Sequence, residues 1–131
     1  MRKIIVALIL EENGKILLEK RKQSKSTTPG DIIFPAGHVE IGETNKEALK
    51  REMKEELCIE IENPSLVYEA DFDCEEKQKI FWYKCDSYKG IIQNKEAEEL
   101  LWISPFETGV LTHQVSRDAL EKYFKTKNIN V

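Results

Sequence analysis

The sequence predicts an α/β fold with a mixed sheet. Apolar runs of strand length are set off by turn residues, a capped amphipathic helix occupies 44–57, and a second helical stretch lies near the end of the chain. The first two runs, 3–11 and 15–21, are separated by Glu12-Asn13-Gly14. Asn and Gly both accept positive φ, so this is a hairpin signal. The run that follows Met1-Arg2-Lys3 is too short to span a bilayer, and acidic residues rather than a cleavage site come after it. It is expected to be a buried strand.

Gln23 to Asp31 is a polar loop. Ile32–Phe34 and His38–Ile41 are expected to be short strands flanking a turn at Pro35-Ala36-Gly37. The helix then opens on Thr44 as N-cap, with Glu47 completing a capping box. Leu49, Met53 and Leu57 give it an apolar stripe, and Glu52 and Glu56 are the acidic residues nearest that stripe. Asn63-Pro64 ends any helical tendency. Strands are expected at 65–73 and 79–86, joined by a polar turn at Glu75–Lys77, and again around 98–103. Ser104-Pro105 is a possible helix start, and Ser116–Lys125 has helical spacing at Ala119, Leu120, Tyr123 and Phe124. With no repeat or linker, residues 1–131 are expected to form one domain, long enough to bury a core without disulfides.

Formal net charge is −4 and no long basic block occurs, so a polynucleotide-binding surface is not expected. The notable local cations are Lys20, Arg21, Lys22 and Lys25. Cys58, Cys74 and Cys85 are odd in number and lack CxxC spacing, which predicts reduced, buried thiols in a cytoplasmic protein.

The chemistry concentrates between Gly37 and Ile59, GHVEIGETNKEALKREMKEELCI. Glu52, Glu55 and Glu56 fall within roughly a third of the helix circumference at ~100° per residue. Like charges so placed repel unless a positive group lies between them, and a hard divalent cation takes such oxygen ligands. Taken alone, this stretch reads equally as a surface helix rich in Glu and Lys. Gly37 and Glu43 at fixed distances upstream are not required by helix periodicity.

With those residues included, the segment resembles the Nudix box, GX5EX7REUXEEXGU, where U is aliphatic. Gly37, Glu43, Arg51, Glu52, Met53, Glu55, Glu56 and Ile59 are in register, and Cys58 replaces the second glycine. The resemblance implies an α/β/α sandwich that hydrolyses a nucleoside diphosphate linked to another group, using Mg²⁺ or Mn²⁺. It makes Glu52, Glu55 and Glu56 metal ligands, with the Gly37 carbonyl as an extra oxygen, and Arg51 and Glu43 groups that orient the carboxylates. Glu52 is the expected general base, with Glu96 as the competitor. Glu96, upstream of Trp102 as in MutT-type members, is also a candidate metal ligand, with Glu99 next.

Phe34-Pro35-Ala36-Gly37 is similar to the FPGG turn of that group. Arg21, Phe34, His38 and His113 are the expected substrate contacts. Phe72, Phe81 and Tyr83 either wall a base pocket or belong to the core. The implied partner is a small nucleotide, most simply a nucleoside triphosphate cleaved to monophosphate and pyrophosphate, by a monomer or homodimer. ADP-ribose, dinucleoside polyphosphates and coenzyme A remain alternatives, as does a noncatalytic nucleotide- or protein-binding module.

Overall fold

Strand β1 (Lys3–Ile9) explains the layering, because both of its faces are buried. In the computed structural model, which describes residues 1–128, Ile5, Ala7 and Ile9 point into one core and Val6 and Leu8 into another. A strand covered on both sides needs a continuous apolar run rather than alternation, which is what Ile4–Leu10 supplies. Strand β5 (Ala36–His38) pairs antiparallel with β1 on one edge. On the other edge β8 (Lys77–Lys84) pairs parallel, and β7 (Ser65–Asp73) pairs antiparallel with β8. The sheet order is therefore β5-β1-β8-β7.

Helix α1 (Asn45–Leu57) covers one face through Leu49, Met53 and Leu57, which join Val6, Leu8 and Leu17. Helix α2 (Gln114–Asn128) covers the other with Ala119, Leu120 and Tyr123, beside Ile5, Ile80 and Trp82. The result is the expected α/β/α sandwich. A second sheet is built around β3 (Lys15–Lys20), paired antiparallel with β10 (Glu99–Ile103), β2 (Glu11–Glu12) and β4 (Ile32–Ile33). Strands β6 (Glu60–Glu62) and β9 (Ser87–Lys89), not anticipated from the sequence, form a short antiparallel pair.

Several expectations are met and several corrected. Asn13 and Gly14 both have positive φ, 54° and 76°, as the turn requires, but the hairpin they close is β2–β3. After β1 the chain passes into the other sheet, because both edges of β1 are taken by β5 and β8. The turn expected at Pro35-Ala36-Gly37 is not there: Ala36 and Gly37 lie in β5, paired with Ala7 and Val6. Phe34-Pro35 instead carries the chain from one sheet to the other, and beyond His38 the expected strand to Ile41 is absent. The strand expected at 79–86 begins two residues earlier, at Lys77. Only a single 3-10 turn, Thr108–Val110, forms after Pro105, and α2 starts at Gln114. The three cysteines are free but half-buried rather than buried.

Both hydrogen bonds of the capping box form at the start of α1, Glu47 N–H to Thr44 Oγ1 (3.1 Å) and Thr44 N–H to Glu47 Oε1 (2.8 Å). Its far end keeps the left-handed cap although glycine is missing: Cys58 has φ 61° and ψ 31°, and its N–H bonds the Lys54 carbonyl at 3.1 Å. A Cβ in that conformation is strained by roughly 1 kcal/mol. Cys58→Gly is therefore expected to stabilise the protein by about 0.5–1 kcal/mol, read as a higher urea midpoint at unchanged slope.

Candidate active site

Helix α1, strand β5 and the end of β3 bring the acidic residues together along one side of a cleft. Helix α1 lies so close to β5 that a Cβ at residue 37 would sit 2.1 Å from Glu52 Cδ. Gly37 is thus required for the approach of a side chain, not for a turn. Arg51 gathers the rest. Its Nε and Nη2 grip both oxygens of Glu43 (2.7 and 3.0 Å), Nη1 reaches Glu52 Oε1 (2.8 Å) and Glu55 Oε2 (3.1 Å), and Nη2 also donates to the His38 carbonyl (3.1 Å). Glu47 is not its partner, because that carboxylate is used in the helix cap.

The electrostatics follow from these contacts. Hydrogen bonds to Glu43 and Glu52 hold the Arg51 guanidinium firmly charged against the opposing effect of burial, and the Arg51 bonds keep Glu43 below the usual carboxylate range. Burial pushes Glu52 up in spite of Arg51. Glu56, only 9% exposed, is pushed up to about 9 by burial and by the neighbouring carboxylates Glu19, Glu52 and Glu96, and its Oε2 has no hydrogen-bond partner. Glu96 goes the other way: the Lys25 ammonium, with which it pairs, holds it low.

Glu19 was missed in the sequence. It is 3% exposed, on the face of β3 that Leu17 directs towards α1, and burial raises it to about 7. Its only advance signal was a charge closing the apolar run Ile16–Leu18.

The cleft, about 360 Å³, is lined by Glu52, Glu56, Glu96, Gly37 and His38 and, further along, by an apolar wall of Ile5, Ile80, Trp82 and Phe72. Its size suits a small-molecule ligand. Arg21 lines it and is tied down by Thr27, with Nε to the Thr27 carbonyl at 3.0 Å and Nη2 to Oγ1 at 3.2 Å. His38 Nε2 donates to Glu76 Oε2 (2.7 Å), and His113 Nε2 donates to Asp31 Oδ2 (2.6 Å) with its ring edge against Phe72. Phe34 borders the cleft from within the core, fully buried. Glu55, exposed on α1, and Glu99, exposed on β10, do not line the cleft.

The aromatic grouping expected from the strands is split. Phe72 faces the cleft, whereas Phe81 and Tyr83 pack under α1. On β8 it is the opposite parity, Gln78, Ile80 and Trp82, that lines the cleft.

These donors fit a hard divalent cation. They are carboxylates with one backbone carbonyl, they include a buried oxygen without a partner, and a side chain at residue 37 would fill the cradle. Among the described residues no three acidic, His or Cys side chains converge on one point, since Glu52 and Glu55 turn to Arg51 and Glu96 to Lys25.

A capped acidic helix laid against a glycine strand, above a cleft with one charged and one apolar end, is an arrangement suited to a hydrolase of phosphoanhydride bonds. The NUDIX domain signature matches residues 1–123, and the chain belongs to the Nudix hydrolase family. It is 37% identical over 107 residues to the CTP pyrophosphohydrolase of Escherichia coli, covering 79% of this chain and 76% of that one. It is 31% identical over 101 residues to the 8-oxo-dGTP diphosphatase of Haemophilus influenzae, covering 76% and 74%. The fold matches the MutT protein of Methanosarcina mazei with a TM-score of 0.85 at 23% identity, over 96% of this chain and 95% of that one.

Glu56 and Glu19 retain protons in the folded chain that the unfolded chain releases near pH 4.5. Between that pH and about 9, folding therefore binds protons, and stability falls as pH rises. Without divalent cations the melting temperature is expected to drop steadily from pH 5 to pH 9 as far as these groups control it, and added Mg²⁺ should restore it most at the alkaline end.

Proposed function

We propose that the protein is a Mg²⁺-dependent nucleoside triphosphate pyrophosphohydrolase, with Mn²⁺ able to substitute, yielding nucleoside monophosphate and pyrophosphate. The observation that carries this reading is the buried, unpartnered Glu56 carboxylate oxygen beside Glu52 at the acidic end of a cleft whose other end is apolar. Glu52, Glu55, Glu56, Glu96 and the Gly37 carbonyl would hold the metal. When bound, the ion offsets phosphate charge and lowers the pKa of a water.

The chain's own residues account for the rest. Arg51, with Glu43 behind it, keeps Glu52 and Glu55 in place. Glu52 is the better general base of the two candidates, because burial raises its proton affinity while Lys25 lowers that of Glu96. It would take the proton of the water that attacks phosphorus as the bond to the pyrophosphate leaving group breaks. Arg21 and His38, which line the cleft, would bind the phosphate chain. Phe72, Trp82 and Ile80 offer a surface for the base, with the His113–Asp31 pair at its edge.

The names of the relatives, a CTP pyrophosphohydrolase and an 8-oxo-dGTP diphosphatase, support a triphosphate substrate. MutT-type proteins that read oxidised guanine use an asparagine late in the chain, where this sequence has Leu111-Thr112-His113-Gln114, so CTP and 8-oxo-dGTP belong in one panel. Free cysteines are consistent with a reducing, cytoplasmic setting.

The test is pyrophosphate release with Mg²⁺ from CTP, the other nucleoside triphosphates and 8-oxo-dGTP, set beside ADP-ribose, a dinucleoside polyphosphate and coenzyme A. Triphosphates should be preferred, and no turnover of any compound would sink the proposal. Glu52→Gln is expected to lower kcat by about 10²–10⁴-fold with the circular dichroism spectrum unchanged. Gly37→Ala, which pushes Glu52 from its place, should reproduce much of that loss although it removes no functional group.

A further inference from the structure

Arg51 has its donors committed to Glu43, Glu52, Glu55 and the His38 carbonyl. Glu56, Glu96 and Glu19 therefore need another source of positive charge. Lys25 provides it: the ammonium pairs directly with Glu96 and lies near enough to Glu56 to favour its charged form, while Glu19 is served first by Arg21 and then by Lys25. Lys25 lines the cleft from the loop between β3 and β4, and its side chain is about a third exposed (31%).

The backbone of that loop is pinned on both sides of the lysine. Arg21 Nε donates to the Thr27 carbonyl (3.0 Å), Lys25 N–H to the Lys22 carbonyl (3.2 Å), and Thr28 N–H to Glu75 Oε1 (3.0 Å). A lysine carries its ammonium on a flexible four-carbon stem, as a point charge with no planar geometry to satisfy. A divalent ion drawing on Glu96 would compete with this ammonium for the same carboxylate, and two cations cannot share one carboxylate without strong repulsion. A polyphosphate arriving in the same cleft offers the displaced ammonium new acceptors.

We propose that Lys25 is an exchangeable countercharge. Its ammonium holds Glu96 while the carboxylates lack a metal ion, gives way to that ion, and then binds the phosphate chain of the nucleotide. This rests on the metal and nucleotide reading above and assigns Lys25 as a residue that binds substrate. A lysine that merely braced the loop would have no reason to oppose the metal.

The experiment is Mn²⁺ titration of the metal-free protein without nucleotide, followed by electron paramagnetic resonance, with steady-state kinetics on the best triphosphate. Lys25→Met is expected to bind Mn²⁺ roughly three- to fivefold more tightly. Its KM should rise about tenfold, with a much smaller change in kcat. Lys25→Arg, which keeps the charge, should return both values towards wild type. Lys25→Gln, closer to lysine in polarity, is the second variant should the methionine protein fail to fold, and the same changes are expected of it. Mn²⁺ affinity that is unchanged or weaker in the neutral variants overturns the exchange, and an unchanged KM overturns the phosphate contact. If wild type itself binds no Mn²⁺, the metal reading falls and takes this one with it. Tight wild-type binding that is indifferent to residue 25 removes the lysine's role alone.

Discussion

Glu52 occupies the space that a side chain on residue 37 would otherwise fill, and this approach binds the geometry of α1 to that of β5. A carboxylate pressed against a strand backbone loses hydration, and Glu55 and Glu56 lie on the same side of the helix. Such a face would repel itself and work against α1. Arg51 relieves it from within the helix by bonding Glu52 and Glu55 at once, and Glu43 anchors the guanidinium with two hydrogen bonds. The helix has its apolar stripe in the core and its acidic edge at the cleft because Met53 and Leu57 are sequence neighbours of those same glutamates.

The acidic end is left electrostatically incomplete. Glu19 and Glu56 are buried side by side in charge terms, from different elements, and the cations near them reach only part of the load. Replacing such groups with apolar residues would favour the metal-free fold, since a buried carboxylate without a partner is disfavoured. Their presence makes sense if a cation completes them. Stability and function thus pull in opposite directions at one place, while the capping box and the two apolar cores carry the fold elsewhere.

Much of the site was legible because it is local. Glu43, Arg51, Glu52, Glu55 and Glu56 lie within one turn and one helix, where spacing along the chain translates directly into geometry. Capping at Thr44 and the burial of Leu49, Met53 and Leu57 were legible for the same reason. Strand parity was not. Phe81 and Tyr83 alternate as a pocket wall would, yet only pairing with β1 and β7 decides which side of β8 faces the cleft, and it turned Gln78, Ile80 and Trp82 there instead. The Phe34-Pro35-Ala36-Gly37 stretch read as a turn because its composition suits one, but the free edge of β1 recruits Ala36 and Gly37 into the sheet.

The sequence by itself determined the family, the acidic helix and the residues that orient it, because helical contacts span only three or four positions and survive in any fold that keeps the helix. Tertiary structure decided which distant groups share that helix's environment. Glu19 is brought beneath α1 by β3, Lys25 reaches Glu96 across 71 positions, and His113 meets Asp31 across 82. Contacts over such separations depend on the order and register of strands, and a single residue's shift in the register of β3 would turn Glu19 to the opposite face.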